Sequence, residues 1–454
     1  MAISSVEGLT GVVKGRVVDR GDAGYDEARA LYNAMIDKRP AAIAYCMDDA
    51  DVAAAIAFGR ERGLRLAIRC GGHNGGGLGS VDDGLVIDLS PMNEVKVDPA
   101  ARMVRAQGGV LLKDLLVATH EHGLTVPVGI IGTTGVGGLT LGGGVGHLTR
   151  GGGLTIDNLV AATVVLADGS IVPTDADTEP DLFWAIRGGG GNFGVVTSFT
   201  FRCLPVSTVL AGPTLYDLDD TEDVMKWYRD FISAQPDELN GFFAFLSVPP
   251  GPPFPEELHL RKVAAVVWCQ IGEEETPAMK EARAFGKPLL DGIQPLPVPA
   301  WNTAFDELYP PGDQWYWRGE FVKELSDDAI AVHMKFAPEM PTWKSTMHMY
   351  PIDGVAGRVG NDKTAWSYRD AKWAQVIGGV DPDPANAPAI TEWAKGYSDA
   401  IRPHSLDGGY VNFQMDDPSR VRNMYGSNFD RLAKIKSKYD PENVFNVNQN
   451  IKPA

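Results

Sequence analysis

The first residues that could do chemistry form the run Arg69-Cys70-Gly71-Gly72-His73-Asn74-Gly75-Gly76-Gly77, with one histidine held between glycines. Glycine lets backbone N–H groups approach a ligand with no Cβ in the way, and successive N–H groups make a nest for an anion such as a diphosphate. Taken alone, this loop also reads as a turn after a strand, and a lone histidine as structural. A second stretch changes the balance. Between residues 129 and 153, 12 of 25 positions are glycine, a density that predicts neither helix nor central strand. A flexible linker would alternate glycine with serine; here Val136, Leu139, Leu141 and Val145 interrupt the glycines. The stretch is therefore packed, and its glycines serve close approach of backbone to a ligand. A third cluster, Gly189 to Gly194, spells GxGxxG. The Rossmann unit needs a strand before that spelling and a helix after it, whereas this sequence predicts helix, loop, strand, so a nicotinamide-cofactor fingerprint is excluded.

These loops need elements to hold them. Residues 64–68 predict a short buried strand leading into the His73 loop. Residues 48–62 predict a helix with an Asp-rich start and Gly63 behind it. Together with a strand at 41–45 they make a β-α-β unit. Apolar spacing predicts a helix over residues 25–35. Further strands are expected at 85–89, 95–97 and 103–106, and a helix at 110–122 closed by Gly123. A hairpin follows around Ala167-Asp168-Gly169, then a short helix at 180–187 and a strand at 195–201. The texture changes after Pro205. Residues 221–234 are amphipathic, residues 258–271 predict a long strand, and Thr276-Pro277 opens a helix as cap and first residue. Aromatic strand stretches at Trp315-Tyr316-Trp317 and 347–351 belong equally to a core or to an aromatic-lined cavity. Residues 408–413 predict a strand with Tyr410 and Asn412 on one face, and residues 429–438 a helix.

Composition bounds the function. A chain of 454 residues favours two domains. Its 52 glycines exceed the usual share of about 7%. A net charge of −18 argues against nucleic acid as a partner. Cys46, Cys70, Cys203 and Cys269 show no CxxC spacing, so neither zinc nor a disulfide framework is indicated. There is no HExxH, and no apolar run long enough to span a membrane. With no signal-peptide pattern at the start, a cytoplasmic protein is expected.

The motifs together resemble the berberine-bridge-enzyme-like FAD-linked oxidases of the vanillyl-alcohol-oxidase (PCMH-type FAD-binding) superfamily. The resemblance rests on Arg69-Cys70-Gly71-Gly72-His73, the glycine run at 135–144, Asp181-Leu182-Phe183-Trp184-Ala185-Ile186-Arg187-Gly188-Gly189-Gly190, and the terminal Asn448-Gln449-Asn450-Ile451-Lys452-Pro453. It implies an α+β fold: a two-lobed FAD-binding domain at 1–205, and a substrate domain with an antiparallel sheet backed by helices at 206–404. Residues 405–454 are then expected to return to the FAD-binding domain. By the same resemblance His73 bonds covalently to the flavin 8α-methyl. The FAD contacts would come from Arg69, Cys70, Gly71, Gly72, Asn74 and Gly75, then Gly132, Thr133, Thr134, Gly135, Gly138, Gly142 and Gly146, with Val196, Asn412 and Asn448. His147 joins that set by position, although a structural histidine is the simpler reading of it. Tyr410 falls on the family's Tyr-x-Asn motif and is expected to be the catalytic base. One departure matters: Ile131 stands where many plant and fungal members carry a cysteine bonded to flavin C6, and Gly132 replaces the proline after it. A single covalent link through His73, with no 6-S-cysteinyl bond, is the expectation.

Flavin oxidation of a C–OH or C–N centre moves a hydride to the flavin and a proton to a base. A tyrosine, with an ordinary pKa of about 10, needs cations or hydrogen bonds to hold a phenolate; Arg318 is the candidate cation. The expected activity is an oxidase for an alcohol, sugar or secondary metabolite, with oxygen as acceptor. The alternatives are a dehydrogenase using another acceptor and a flavin-loaded ligand-binding protein, which would need no base.

Overall fold

The computed structural model describes residues 6–415 and 417–454. Its first sheet is built on the β-α-β unit. Strands Ala42–Tyr45 and Leu66–Arg69 each run parallel to Leu85–Asp88 between them, and Val17–Asp19 adds antiparallel at one edge. The crossover helix Asp49–Glu61 begins where the Asp48 carboxylate accepts the Asp51 N–H, filling a donor the helix itself leaves open. It lays Val52, Ala55, Ile56 and Phe58 on Leu66, Leu85 and Ile87. Register brings Arg69 opposite Asp88 at the carboxyl ends of the strands, the edge where α/β sheets receive ligands. The His73 loop leaves from there. The helix expected over 25–35 is only Tyr25–Arg29; beyond it, residues 31–36 peel away to meet other segments, with Asn33 hydrogen-bonded to Gly75 O and Trp315 O.

The second sheet has five antiparallel strands, ordered Val95–Asp98, Met103–Gln107, Val195–Arg202, Leu159–Val165, Ile171–Asp175. The glycine-rich stretch lies over it and, against expectation, is partly helical, at Val136–Gly142 and Thr149–Gly152. Intrinsic propensity loses there to packing. Val136 and Thr140 are buried, and Gly142 is pressed so closely on Asn412 that a Cβ would lie 2.1 Å from its Oδ1.

The third sheet, residues 208–381, has eight antiparallel strands. The strands Gln314–Val322, Thr346–Pro351 and Trp373–Asp381 lie side by side in it. One face sends Tyr316, Met347, Met349 and Ile377 into a core shared with helices Thr221–Ile232, Asp327–Phe336 and Ala387–Ile401. The alternate residues (Trp315, Trp317, Thr346, His348, Tyr350, Val376) face the other way, as the period of two requires, into the cavity described below. The fold is thus α+β, with the helix-backed sheet presenting its free face to the two smaller ones. No helix among the described residues is long and apolar enough to cross a membrane.

The chain's end turns back to the second sheet. From helix Phe429–Tyr439, the fully buried Lys436 ammonium donates to Asp440 (2.6 Å), Asn192 O (2.6 Å) and Phe445 O (2.9 Å). Asp440 also accepts the Val444 and Phe445 N–H groups. Ile451 N donates to Asn192 Oδ1, and Asn448 to Gly191 O. Removing one partner of a buried pair strands the other's charge. Asp440→Ala should therefore cost about 3–5 kcal/mol in urea unfolding and lower flavin content; a loss below about 1 kcal/mol, the scale of an exposed pair, would mean that the pair does not hold the terminus.

Candidate active site

The Arg69–Asp88 pair anchors the base of the His73 loop, with Nε to Oδ2 at 2.5 Å and both side chains buried. Four residues on, His73 is held by two threonines of the glycine-rich stretch: Thr133 Oγ1 lies 3.0 Å from Nε2 and Thr134 Oγ1 3.4 Å from Nδ1. Tyr32 stacks on the imidazole at 3.8 Å. Burial pushes the His73 imidazolium down to about 4, so the ring is neutral at physiological pH and one of its nitrogens keeps the lone pair a nucleophile needs.

What allows the two loops to meet is the absence of side chains. A Cβ on Gly71 would lie 2.5 Å from Gly135 N, and one on Gly135 2.3 Å from Cys70 Sγ. The Cys70 thiol is turned to Val110 O, and burial raises its pKa to about 12. By contrast, a Cβ on Gly138 or Gly191 would meet nothing within 4 Å. These positions line a cavity of about 360 Å³ running from the His73 loop to the free face of the large sheet.

Most of the expected cofactor contacts line it: Arg69, Cys70, Gly71, Gly72, His73, Asn74, Thr134, Gly135, Gly138, Gly142, Val196, Asn412 and Asn448. Five do not line it. Thr133 touches the lining His73 through its hydroxyl. Gly75 is covered by Trp317, whose ring lies 2.4 Å from where a Cβ would be. Gly132 donates to Asp306 Oδ1 at 2.7 Å, and Gly146 packs on Val128 O. His147 sits in a separate small void against Trp301 and Cys269, both ring nitrogens without a hydrogen-bond partner among the described residues; burial pushes it down to about 3. The structural reading of His147 fits.

The strand expected around Tyr410 is a short 3-10 turn, Val411–Phe413, with Tyr410 just before it. Its hydroxyl oxygen accepts the Gly144 N–H and the Asn412 Nδ2–H, each at 2.7 Å. Burial raises its pKa, the two donors lower it, and the balance is about 12. These donors are the kind of hydrogen bonds that favour a phenolate, and they also tie the glycine helix to the carboxyl-terminal segment. Arg318 brings no charge to it; its guanidinium lies 4.8 Å over the Tyr316 ring, on the helix-backed face.

Sequence reasoning did not assign the remaining walls, and left residues 315–317 and 347–351 open between core and cavity. Gly190, Gly191 and Gly194 contribute, although their GxGxxG spelling is flanked by helix Pro180–Ile186 and strand Val195–Arg202, as expected. Opposite them stand Tyr309, Trp315, Trp317, His348, Tyr350 and Phe413. Arg69 Nη1 and Asn448 Oδ1 belong to lining residues, are buried, and have no hydrogen-bond partner among the described residues. Orphaned polar atoms beside a cradle of bare glycine backbone suit a large ligand that is polar at one end and planar at the other.

The sequence profile of an FAD binding domain matches residues 40–175, and that of a berberine and berberine-like domain matches residues 409–452. An FAD-linked oxidoreductase of Bacillus subtilis (strain 168) is 33% identical over an alignment of 454 positions, spanning 97% of each chain. The chain belongs to the berberine-bridge-enzyme-like FAD-linked oxidoreductases. The fold is shared with 6-hydroxy-D-nicotine oxidase from Arthrobacter nicotinovorans at TM-score 0.87 and 25% identity, covering 97% of this chain and 98% of that one. It is shared equally with glucooligosaccharide oxidase from Acremonium strictum, at TM-score 0.86, 25% identity and 99% of each chain, whose flavin is 6-S-cysteinyl, 8α-N1-histidyl FAD. As a member of this family the chain is an FAD-dependent oxidoreductase, and the glycine-lined cavity is where its residues would hold the cofactor.

Two outcomes follow. In Tyr410→Phe, the Gly144 N–H and the Asn412 amide lose their acceptor, which should cost about 1–3 kcal/mol and lower flavin loading. If Tyr410 is the base, flavin reduction per bound flavin should fall by about 10²–10⁴; a loss smaller than about tenfold would leave Tyr410 a purely structural role. The second concerns acid. Burial holds His73 near 4, and His147, His333 and His348 near 3, against about 6.5 in an unfolded chain. Between about 6.5 and 4 the unfolded state binds more protons, so stability rises with pH across that window and is lost on acidification. The urea midpoint should fall from pH 7.5 to pH 5; an unchanged midpoint would contradict neutral buried imidazoles.

Proposed function

We propose that this protein is an oxidase that removes a hydride from a C–OH or C–N centre of a small alcohol, sugar, amine or secondary metabolite, using FAD held by one covalent bond through His73. The observation that carries the reading is the position of His73: neutral, clamped by Thr133 and Thr134, and at the wall of a cavity whose glycine side can take a dinucleotide and whose aromatic side can take a substrate. Bound FAD supplies the hydride acceptor. The chain's own part is positioning. The glycine backbones at 71 and 135 bring the His73 loop to the cofactor, Tyr410 and Asn412 brace the helix Val136–Gly142, and the tryptophans and tyrosines of the large sheet orient a substrate and exclude water. A single link is supported by Ile131 lining the cavity where a cysteine would be needed, and by the Cys70 thiol being engaged with Val110 O. The solved neighbours act on a hydroxynicotine and on glucooligosaccharides by their names, two hydride donors of the proposed kind. We assign residues 1–205 and 405–454 to the FAD-binding domain and 206–404 to the substrate domain. This division is supported by the contacts of Lys436, Asn448 and Ile451 with residues 191–192.

Acid-precipitated protein should stay yellow, with the flavin mass on a peptide containing His73. Loss of all flavin to the supernatant, or a cysteinyl-flavin peptide, would overturn the single covalent link. Under anaerobic conditions a panel of sugars, aromatic alcohols and hydroxylated amines should include a compound that bleaches the flavin. Air should then restore the colour with hydrogen peroxide formed. Bleaching that air does not reverse would mean a dehydrogenase with another acceptor.

A further inference from the structure

The free face of the large sheet is rich in rings and poor in polar atoms that a ligand could reach. Trp315, Trp317 and Val376 come from the sheet itself, Tyr309 and Phe413 from segments beside it. Their polar atoms are spent or covered. Tyr309 donates to Lys344 O at 3.4 Å, and Thr346 to Phe245 O at 2.8 Å. The Trp315 and Trp317 indole nitrogens are buried, with no partner among the described residues. No carboxylate lines the cavity among the described residues, and its one charged residue, Arg69, is paired with Asp88. Asp306 and Asp313, which flank Tyr309 in the chain, are engaged outside it. Asp306 accepts the Gly132 N–H at 2.7 Å, and Asp313 pairs with Lys344 at 2.6 Å.

One polar pair remains. His348 and Tyr350 are two apart on strand Thr346–Pro351, so both project from the same face into the cavity. Tyr350 Oη lies 2.7 Å from His348 Nδ1. Phe242 packs on both rings, at 4.9 Å from His348 and 4.8 Å from Tyr350, and Phe413 closes on Tyr350 at 5.8 Å. Burial pushes the His348 imidazolium down to about 3, so the ring is neutral. A neutral imidazole and a phenol hold two hydrogen-bond donors between them, and their mutual bond uses one. Whichever group donates, the pair keeps a donor and an acceptor for a ligand. That is the complement of a hydroxyl group.

We propose that this site takes an uncharged, ring-bearing alcohol with few hydroxyl groups, and that His348 and Tyr350 select it by hydrogen-bonding a hydroxyl. The assignment rests on the oxidase reading above and narrows its substrates. No proton transfer is required of the pair; it binds and orients. An ammonium or carboxylate ligand would give up its hydration on a wall with no opposite charge to replace it. A sugar carries a hydroxyl on almost every carbon, and this wall has a partner for few of them. Each hydroxyl buried without a partner weakens binding. A flat apolar ring loses nothing of that kind on desolvation, and it can stack on the indoles and on Phe413. The wall therefore separates this chain from a relative that must hold a charged amine or an oligosaccharide.

Equilibrium binding to the holoenzyme tests this without turnover. Perturbation of the flavin absorbance at pH 7 is titrated with a matched naphthalene series bearing a hydroxymethyl, methyl, aminomethyl or carboxylate group, and with cellobiose. The alcohol should bind at least about tenfold more tightly than the ammonium, the carboxylate or the disaccharide. A smaller margin, or no binding of the alcohol, would overturn the proposal. Tyr350→Phe removes one hydrogen-bonding group from the pair and should weaken the alcohol by up to about tenfold, while the methyl compound stays within about twofold. A loss shared equally by the alcohol and the methyl compound would reduce the pair to packing. Bleaching of the flavin, read separately without oxygen, keeps the two readings apart. Selective binding of the alcohol with no bleaching by any alcohol would sink the oxidase reading and leave the ligand class standing. Bleaching by a sugar or a charged amine, with the aromatic alcohols inert, would do the reverse.

Discussion

The structure depends on two glycines in backbone contact. Gly71 and Gly135 approach so closely that no Cβ fits at either position, and this contact joins the parallel sheet to the antiparallel one across the cofactor side of the cavity. Everything that gives His73 its chemistry follows from it. Thr133 and Thr134 reach the imidazole because Gly135 lets their segment come in. Tyr32 can then cover the other side, and burial makes the ring neutral. The buried Arg69–Asp88 pair lies at the base of that loop.

The large sheet is fastened to the same loop by one side chain. Asn33, fully buried, donates to both Gly75 O and Trp315 O and accepts from Trp315 N, while Trp317 lies on the bare Gly75 backbone. The histidine loop and the aromatic wall are therefore parts of one packed unit. A substrate on that wall and a cofactor against the glycine loops would be held in fixed relation, which is the condition for hydride transfer between them. The carboxyl-terminal segment closes the third side through Lys436, Asp440 and Asn192.

Much of this was legible in the residues, for identifiable reasons. The helix Asp49–Glu61 and its cap were plain because Asp48 and the apolar spacing agree. The glycine clusters marked backbone approach because nothing else explains such density among buried apolar residues. The helix Val136–Gly142 was illegible because it is packed from afar, among others by Asn412, 270 positions away from Gly142 along the chain. The hydrogen bonds of Tyr410 were illegible for a similar reason: only the fold brings Gly144 N and Asn412 Nδ2 onto its oxygen. Which residues of the 347–351 stretch face the cavity was hidden differently. All six residues of Thr346–Pro351 are buried, so the strand has no polar-apolar alternation to tell the cavity face from the core face.

The account stands on FAD lying against the glycine backbone of the cavity, and Gly138 tests that most directly. It is exposed, within a helix, and a Cβ there would meet nothing in the protein. By helix propensity alone Gly138→Ala should stabilise the flavin-free fold by up to about 1 kcal/mol. If the cofactor occupies the cavity, the added methyl meets it instead. Flavin-to-protein ratio and thermal midpoint, measured together on Gly138→Ala, should show reduced flavin in a fold at least as stable as the flavin-free wild type. Full flavin content with wild-type stability would place the cofactor elsewhere and contradict the assignment of this cavity.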